Sequence, residues 1–261
     1  MKLVSYRAPG GDQQYGEVLD GRVVAFDDGS TVLDRLRSGD RSPASGAEHA
    51  LDDVTLLAPH IPRAIFCIGW NYKLHIEETG REMPEFPVVF LKLPASAAPP
   101  NGTVVCPKVV RRLDYEVELT VVMGPNREIA GYTVADDVSG RDLQKREHQW
   151  TRAKGADTFC PFGPWITTAD EVAEPENLQL RSWVNGELRQ DSRTNDLLFK
   201  IDELIDYITA ACTLEAGDLI LTGTPSGVGM AMDPPQFLKD GDVVRMEIEG
   251  LGTIEHTIAE A

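Results

Sequence analysis

Residues 113–122 read Leu-Asp-Tyr-Glu-Val-Glu-Leu-Thr-Val-Val, and this alternation of polar and apolar side chains predicts a β-strand. Successive side chains of a strand point to opposite faces, so Glu116 and Glu118 share one face, with Asp114 beside them. Neighbouring like charges repel each other unless something compensates them. For the acidic pair alone, two explanations stay open: a solvent-exposed acidic face and a cation site.

A second acidic cluster follows at residues 135–142, Ala-Asp-Asp-Val-Ser-Gly-Arg-Asp, in a neighbourhood that is otherwise apolar. Oxygen ligands suit hard divalent cations such as Mg²⁺ and Mn²⁺, which take a few carboxylates and leave positions for water and substrate oxygens. The two clusters together therefore favour a Mg²⁺ or Mn²⁺ site over a solvated acidic surface.

Most of the remaining chain also reads as strands separated by turn signals such as Asn185-Gly186. Helical patterns are few and short, at residues 71–79, 142–152 and 200–211. Strands and helices do not alternate regularly, and no repeat period is visible. The predicted fold class is α+β, mainly β, with a mixed β-sandwich roll rather than a Rossmann or TIM-barrel architecture.

The first sixty residues carry short alternating segments, including a hairpin signal at Asp20-Gly21. A proline-marked stretch at residues 58–62 then precedes an apolar segment, 65–70, that reads as a buried strand. We therefore predict a small β-rich N-terminal domain at residues 1–60 and a main domain at residues 61–261.

The 261-residue chain contains 25 lysine and arginine residues against 42 aspartate and glutamate residues, which gives a net charge of -17. Such a surface repels nucleic-acid phosphates and anionic lipid, and no basic cluster compensates it. A hydrophobic content of 42% is close to that of ordinary globular proteins and argues against intrinsic disorder. We expect neither a nucleic-acid partner nor a membrane partner.

The N-terminus lacks the charged-then-apolar pattern of a signal peptide, and no apolar stretch approaches the roughly 18 residues that span a bilayer. Four cysteines are spread singly along the chain, and the five histidines have no zinc-ligand spacing. These features predict reduced thiols, a cytoplasmic location and no zinc.

Eight segments occur in the order IGWNYKLHIEE, FLKLPAS, DYEVEL, AGYTVADDVSGRDLQ, KGADTFCPFGPW, VNGELRQ, LTGTPSGVG and PPQFLKDGDVVRMEIEGLGTIEH. Together they resemble the fumarylacetoacetate hydrolase family over about residues 62–258, in particular its acylpyruvase and 2-hydroxyhepta-2,4-diene-1,7-dioate isomerase-like branch. The resemblance implies a mixed β-sandwich roll, a homodimer, one Mg²⁺ or Mn²⁺ bound by three carboxylates, and substrates that are small 2-oxo acids, often 2,4-dioxo acids.

Carried over one position at a time, the family's metal ligands would be Glu116, Glu118 and Asp137. The family usually has asparagine before this aspartate, where this chain has Asp136, so the resemblance leaves open which of the two binds the ion directly. The alanine that the family has before the next arginine is Gly140 here, which we expect only to loosen the turn.

The resemblance also assigns substrate contacts to Arg141, Gln144, Thr224 and the glycine-rich turn that begins at Gly223, and a catalytic role to Lys154. A guanidinium can bind a carboxylate through two hydrogen bonds, and a buried ammonium can stabilise a developing enolate. Without the resemblance, surface ion pairs would explain Arg141 and Lys154, and an ordinary tight turn would explain the glycines.

His75 and Glu78 lie three residues apart and share one face if the predicted helix forms. By resemblance to hydrolytic and decarboxylating relatives, this segment is a lid that closes over the substrate, and the two side chains position or activate a water. An ordinary surface helix is the alternative. Trp70 stands where the family usually has a small or polar residue, and we expect it to narrow the pocket mouth.

The implied function is metal-dependent hydrolysis of a C–C bond in a small 2,4-dioxo acid, an acylpyruvate or fumarylpyruvate, to pyruvate and a carboxylic acid. His75, held by Glu78, would activate the water, and Lys154 with the metal would stabilise the departing enolate. The alternatives are decarboxylation of oxaloacetate, isomerisation or decarboxylation of 2-hydroxy-diene-dioates in aromatic catabolism, and a catalytically silent protein that has kept the fold. The expected partners are a small 2-oxo acid and a second copy of the chain.

Overall fold

The computed structural model describes residues 1–261, which form nineteen strands and five α-helices. The strands are β1 (Lys2–Arg7), β2 (Gln13–Leu19), β3 (Arg22–Ala25), β4 (Glu48–Ala50), β5 (Thr55–Leu56), β6 (Ile65–Gly69), β7 (Val88–Lys92), β8 (Ala97–Ala98), β9 (Thr103–Cys106), β10 (Leu113–Asp114), β11 (Val117–Met123), β12 (Ile129–Asp136), β13 (Ser139–Gly140), β14 (Cys160–Thr168), β15 (Gln179–Val184), β16 (Glu187–Arg193), β17 (Leu219–Leu221), β18 (Val243–Ile248) and β19 (Gly252–Glu260).

The helices are α1 (Val32–Ser38), α2 (Lys73–Glu78), α3 (Arg141–Arg146), α4 (Thr151–Lys154) and α5 (Ile201–Thr209). The predicted helices at 71–79 and 200–211 are confirmed as α2 and α5, each somewhat shorter than expected. The single helix predicted at 142–152 is wrong, because Glu147 is extended and separates α3 from α4.

Helix α1 was not predicted, although its beginning carries a recognisable signal. The Thr31 hydroxyl accepts a hydrogen bond from the backbone N–H of Asp34, whose carboxylate in turn accepts one from the backbone of Thr31. This reciprocal cap satisfies two otherwise unpaired N–H groups. Val32 and Leu36, one turn apart, then bury completely against the large sheet.

Twelve strands form one large sheet, with the order β4-β3-β2-β1-β14-β12-β11-β17-β6-β7 and with β5 and β8 paired to β1 and β14. Five strands form a second sheet, β16-β15-β18-β19-β9, and β10 pairs with β13. Pairing is mostly antiparallel, but β6 runs parallel to β17 and β9 runs parallel to β19. Both of the larger sheets are therefore mixed.

The main core lies where the five-stranded sheet packs against the large sheet. Strand β11 contributes Val117, Leu119 and Val121 to it, and the second sheet contributes Met246 and Ile254, all fully buried. Facing apolar surfaces of two sheets are the defining feature of a β-sandwich. The predicted fold class, mainly β with a mixed β-sandwich roll, is confirmed.

Strand β1 links the first sixty residues to the rest of the molecule, because it pairs with β2 on one side and with β14 on the other. The early strands therefore extend the large sheet, and a domain boundary near residue 60 stays a prediction. Both predicted hairpin turns are confirmed by positive φ at Asp20 (46°) and Gly21 (74°), and at Asn185 (51°) and Gly186 (80°). None of the helices is long and apolar enough to cross a membrane.

Candidate active site

A cavity of about 940 Å³ opens between α2, α3, α4 and the chain that follows β17. Nine of the ten predicted site residues line it, namely His75, Glu78, Glu116, Glu118, Asp137, Arg141, Gln144, Lys154 and Thr224. The tenth, Gly223, does not line the cavity, but its backbone N–H donates a 2.7 Å hydrogen bond to Glu118 Oε2. The structure thus brings all of these residues to one place.

Antiparallel pairing of β11 with β12 assembles the three carboxylates that we call the acidic cluster, Glu116, Glu118 and Asp137. Val117 pairs with Asp136, and the N–H of Asp137 donates a 3.0 Å hydrogen bond to the carbonyl of Glu116. One oxygen of each of the three carboxylates lies within 4.8 Å of the others, and all three residues are buried.

Three cationic side chains contact this cluster. Lys154 Nζ donates to Glu116 Oε2 at 2.6 Å and to Asp137 Oδ2 at 2.7 Å, and Lys92 Nζ donates to Asp137 Oδ1 at 2.5 Å. Arg141 Nη2 lies 2.6 Å from Glu116 Oε1. Burial opposes ionisation of Glu116, but the charges of Arg141 and Lys154 outweigh it and lower the pKa of Glu116 below its usual range.

Glu118 is in the opposite situation. Burial, followed by repulsion from Asp137 and Glu116, raises the pKa of Glu118 well above its ordinary value. Its only hydrogen-bond donor is the N–H of Gly223. A carboxylate of this kind needs additional positive charge to ionise. The acidic cluster thus holds three buried carboxylates, and one of them, Glu118, lacks a cationic partner. This arrangement fits a divalent ion such as Mg²⁺ or Mn²⁺.

The question of which aspartate joins the cluster has a structural answer, because Asp137 lies in it and Asp136 does not. Asp136 Oδ1 accepts a 2.9 Å hydrogen bond from the backbone N–H of Glu116, and its Oδ2 lies 3.0 Å from Nε2 of His256. Both side chains of this pair are fully buried. Burial raises the pKa of Asp136, and His256 opposes that rise. Asp136 supports the backbone of the cluster from behind.

Helix α2, which we call the lid helix after the role expected from the resemblance, places His75 and Glu78 in the cavity wall. His75 Nδ1 and Glu78 Oε1 are 2.6 Å apart, and Glu78 Oε2 accepts a 2.9 Å hydrogen bond from the N–H of Gly227. Gly227 has φ +103°, and a Cβ there would lie 2.1 Å from the carbonyl oxygen of Arg189, so only glycine fits. Glu78 thus holds the histidine and ties the lid helix to the opposite loop.

Arg141, Gln144 and Thr224 reach the cavity but also make contacts within the protein. Arg141 Nε donates to Asp114 Oδ2 at 2.8 Å, and its Nη1 donates to Gln144 Oε1 at 3.1 Å. The Thr224 hydroxyl donates to the carbonyl of Val117 at 3.0 Å and accepts from Gln190. Substrate contact by these three residues stays a prediction.

Some residues of the site were not predicted. Lys92 ends β7 in the motif FLKLPAS, where a local pattern indicates an ordinary strand-end lysine, yet its side chain is buried against Asp137. Asp114 holds Arg141 and also accepts hydrogen bonds from the N–H groups of Gly229 and Met230. The motif VNGELRQ contains Gln190, but nothing in its spacing indicated that this side chain would hold Thr224.

Aromatic residues form another part of the cavity wall. The ring of Trp150 lies 5.1 Å from that of Trp70 and 5.1 Å from that of Phe90, both with edge-on geometry. The guanidinium of Arg81 lies 4.3 Å from the ring centre of Trp70. Trp70 lines the cavity, and its role in narrowing the pocket mouth stays a prediction.

Comparison with known families and curated proteins gives one consistent result. The family model described as fumarylacetoacetate (FAA) hydrolase C-terminal matches residues 64–259. The rat protein named oxaloacetate tautomerase Fahd2a, mitochondrial, is 39% identical in an alignment that covers 97% of this chain and 90% of the rat protein.

Solved structures resemble the whole chain. A fumarylacetoacetate hydrolase from the psychrophilic bacterium Exiguobacterium antarcticum matches with a TM-score of 0.90 and 33% identity, covering 100% of both chains. A 2-hydroxyhepta-2,4-diene-1,7-dioate isomerase from Mycobacterium marinum matches with a TM-score of 0.84 and 34% identity, covering 100% of this chain and 98% of the other.

Proposed function

Since this chain belongs to the fumarylacetoacetate hydrolase family and is an enzyme of small organic acids, we propose that it moves a proton at carbon 3 of a small 2-oxo acid, with Mg²⁺ or Mn²⁺ as cofactor. Such a transfer interconverts keto and enol forms and, in a conjugated dioate, moves a double bond. The relatives named as an oxaloacetate tautomerase and a diene-dioate isomerase support this reaction class.

One observation carries the proposal: the acidic cluster and the His75–Glu78 pair line the same cavity. A divalent ion held by the acidic cluster would polarise the 2-oxo group and align the adjacent carboxylate. Burial opposes the charge of Lys154, but Asp137 and Glu116 raise the pKa of Lys154 above its usual value. As an ammonium, Lys154 would stabilise negative charge that develops on the substrate.

His75 is suited to be the base. With the Nδ1 proton shared with Glu78, its Nε2 is left with a free lone pair. When Nε2 takes the proton from carbon 3, the C–H electron pair forms the C2–C3 double bond and the carbonyl pair moves onto the oxygen. The imidazolium is stabilised by Glu78. It returns the proton to the enolate oxygen to give the enol, or to a more distant carbon to give an isomer.

Hydrolysis of an acylpyruvate is a second candidate, favoured by the same His75–Glu78 geometry. A histidine held at Nδ1 by a carboxylate can remove a proton from water as readily as from carbon. Attack of that water on the distal carbonyl breaks the C3–C4 bond, and the departing pyruvate enolate takes up a proton. Decarboxylation of oxaloacetate passes through the same enolate, so these reactions need the same stabilising groups.

The test is a panel of substrates with added Mg²⁺ or Mn²⁺. Enol–keto conversion of oxaloacetate, double-bond shift in a diene-dioate and pyruvate release from acetylpyruvate and fumarylpyruvate are followed in parallel. We expect metal-dependent proton transfer with at least one substrate. Faster release of pyruvate from an acylpyruvate would favour the hydrolase. Absence of turnover across the whole panel would overturn the proposal and favour a catalytically silent protein.

We also propose that the chain forms a homodimer. Strand β7 lies at the edge of the large sheet, and its Val89 and Leu91 are exposed, as is Leu93 directly after it. Exposed apolar edge strands readily pair with another chain. Light scattering is expected to give twice the mass of the chain, and Leu91→Glu is expected to shift the protein toward the monomer. A monomeric wild type would contradict this proposal.

A further inference from the structure

Positively charged side chains outnumber negatively charged ones in the lining of the cavity. Five lysine and arginine residues line it, against four aspartate and glutamate residues, in a chain whose net charge is -17. A divalent ion in the acidic cluster would add two further positive charges. Such a cavity favours a ligand that carries more than one negative charge.

Three of these cations, which we call the rim cations, are Arg81, Arg112 and Lys145. None of them has a carboxylate within 4.0 Å, whereas Arg141 and Lys154 each contact two carboxylates of the protein. All three rim cations are exposed to solvent at the cavity. No carboxylate of the protein compensates their charges, in contrast to those of Arg141 and Lys154.

Two of the rim cations share a wall. The N–H of Arg141 donates a 2.9 Å hydrogen bond to the carbonyl of Arg112, so Arg112 lies against the beginning of α3. Lys145 lies four residues, about one helical turn, beyond Arg141 on the same helix. Arg81 follows the lid helix and belongs to the wall formed by Trp70.

A solvated surface would explain isolated exposed cations, but two of these three lie over aromatic rings that also line the cavity. The guanidinium of Arg81 is 4.3 Å from the ring centre of Trp70, and that of Arg112 is 5.7 Å from that of Phe237. Contact with an aromatic face restricts a long side chain before a ligand arrives. Restricted, unpaired guanidinium groups are well suited to bind a carboxylate.

We infer that Arg112 and Lys145 bind a second carboxylate of the substrate, away from its 2-oxo acid end, with Arg81 contributing from the wall formed by Trp70. The inference rests on the proposed function, in which the 2-oxo acid end lies at the acidic cluster. A four-carbon diacid fills little of a 940 Å³ cavity, which is near the upper end of the size of small-molecule sites. The rim cations are therefore specificity-determining residues for the second carboxylate.

A matched pair of ligands tests this inference without requiring turnover. 2-Oxoadipate and 2-oxohexanoate have the same carbon chain and the same 2-oxo acid end, and differ only in a terminal carboxylate against a methyl group. Their Kd values are measured by calorimetry on the Mg²⁺-saturated protein. We expect 2-oxoadipate to bind about tenfold more tightly or better, which is about 1.4 kcal/mol. The preference should weaken as ionic strength rises.

The double variant Arg112→Gln/Lys145→Gln is expected to reduce the preference to less than about threefold, with little change in the Kd of 2-oxohexanoate. Arg81→Gln should reduce it partially. Arg111→Gln is the matched control, because Arg111 is exposed, precedes Arg112 directly and does not line the cavity. The control should keep the wild-type preference.

The outcomes separate the two proposals. Equal binding of the two ligands by wild type, or an unchanged preference in the double variant, would overturn the second-carboxylate site and leave the proposed function standing. Absence of binding by both ligands would overturn the proposed function and this inference together.

Discussion

The acidic cluster and the lid helix line the same cavity, but they are held in place by different means. The cluster is buried, its backbone is fixed by pairing of β11 with β12, and its carboxylates contact three buried cations. The lid helix has six residues, and Glu78 connects it to the opposite loop through one hydrogen bond from Gly227. A rigid cluster suits the step that many 2-oxo acid reactions share. The lid helix carries the side chains suited to the proton transfers that distinguish these reactions.

The largest effect is expected from the cluster. Glu118→Gln keeps the shape of the side chain but removes its charge, and it should lower turnover of every 2-oxo acid about 1,000-fold, since stabilisation by a metal ion is worth several kcal/mol. The affinity for Mg²⁺ or Mn²⁺, measured by calorimetry, should fall in parallel. The control is Glu255→Gln on the exposed face of β19. Unchanged metal affinity in Glu118→Gln would contradict the assignment of this carboxylate as a ligand.

A smaller and different effect is expected from the lid. His75→Ala should lower kcat about 100-fold, the usual contribution of a positioned acid or base, and leave metal affinity unchanged. The matched control is His148→Ala, because His148 is exposed and outside the cavity lining. The contrast between cluster and lid would disappear if His75→Ala also weakened metal binding. Full activity in His75→Ala would show that another group is the base.

Glu78 is expected to have a weaker influence, because it acts through His75. Glu78→Gln should lower kcat about tenfold, by analogy with metal-ligating histidines, for which loss of the carboxylate partner costs about 10–100-fold. The affinity for Mg²⁺ or Mn²⁺ should stay unchanged, because Glu78 contacts His75 and the N–H of Gly227 and not the acidic cluster. Glu77→Gln, on the exposed side of the same helix, is the control. A parallel loss of kcat and of metal affinity in Glu78→Gln would indicate a role in folding instead.

Features of the site that depend on local alternation could be predicted from the sequence, whereas contacts between distant segments could not. Period-two alternation placed Glu116 and Glu118 on one face, and the structure places them there. Lys92 was missed because its partner, Asp137, is 45 positions away, and a single buried lysine leaves no periodic signal. The pairing of Asp136 with His256 was missed for the same reason. Local pattern predicts strands and the faces of side chains, whereas charge pairing between distant strands depends on the sheet order.

The last comparison concerns the loss of folding stability at low pH, which we expect to arise in the scaffold and not in the catalytic groups. His60 is buried beneath Phe162, with Nε2 2.6 Å from the carbonyl oxygen of Gly217. Burial lowers the pKa of His60 from 6.5 to about 4, and the Gly217 hydrogen bond opposes this only partly. Between these two values the unfolded chain binds more protons than the folded one. Stability from this residue is therefore complete above pH 6.5 and is lost as the pH falls toward 4.

At pH 5.5 the loss from His60 should be about 1 kcal/mol relative to neutral pH, since one pKa unit corresponds to a free energy of that order. His60→Gln stays neutral and can still donate a hydrogen bond to Gly217. The unfolding free energies of wild type and His60→Gln are measured by urea titration at pH 7.5 and 5.5. Between these two pH values, the unfolding free energy of wild type should fall further than that of His60→Gln, and the difference should equal the loss from His60. His148→Gln, exposed, should keep the wild-type dependence. Identical pH dependence in His60→Gln and wild type would show that acid lability arises elsewhere. A shallower pH dependence in His60→Gln would assign the acid lability to this buried histidine of the scaffold.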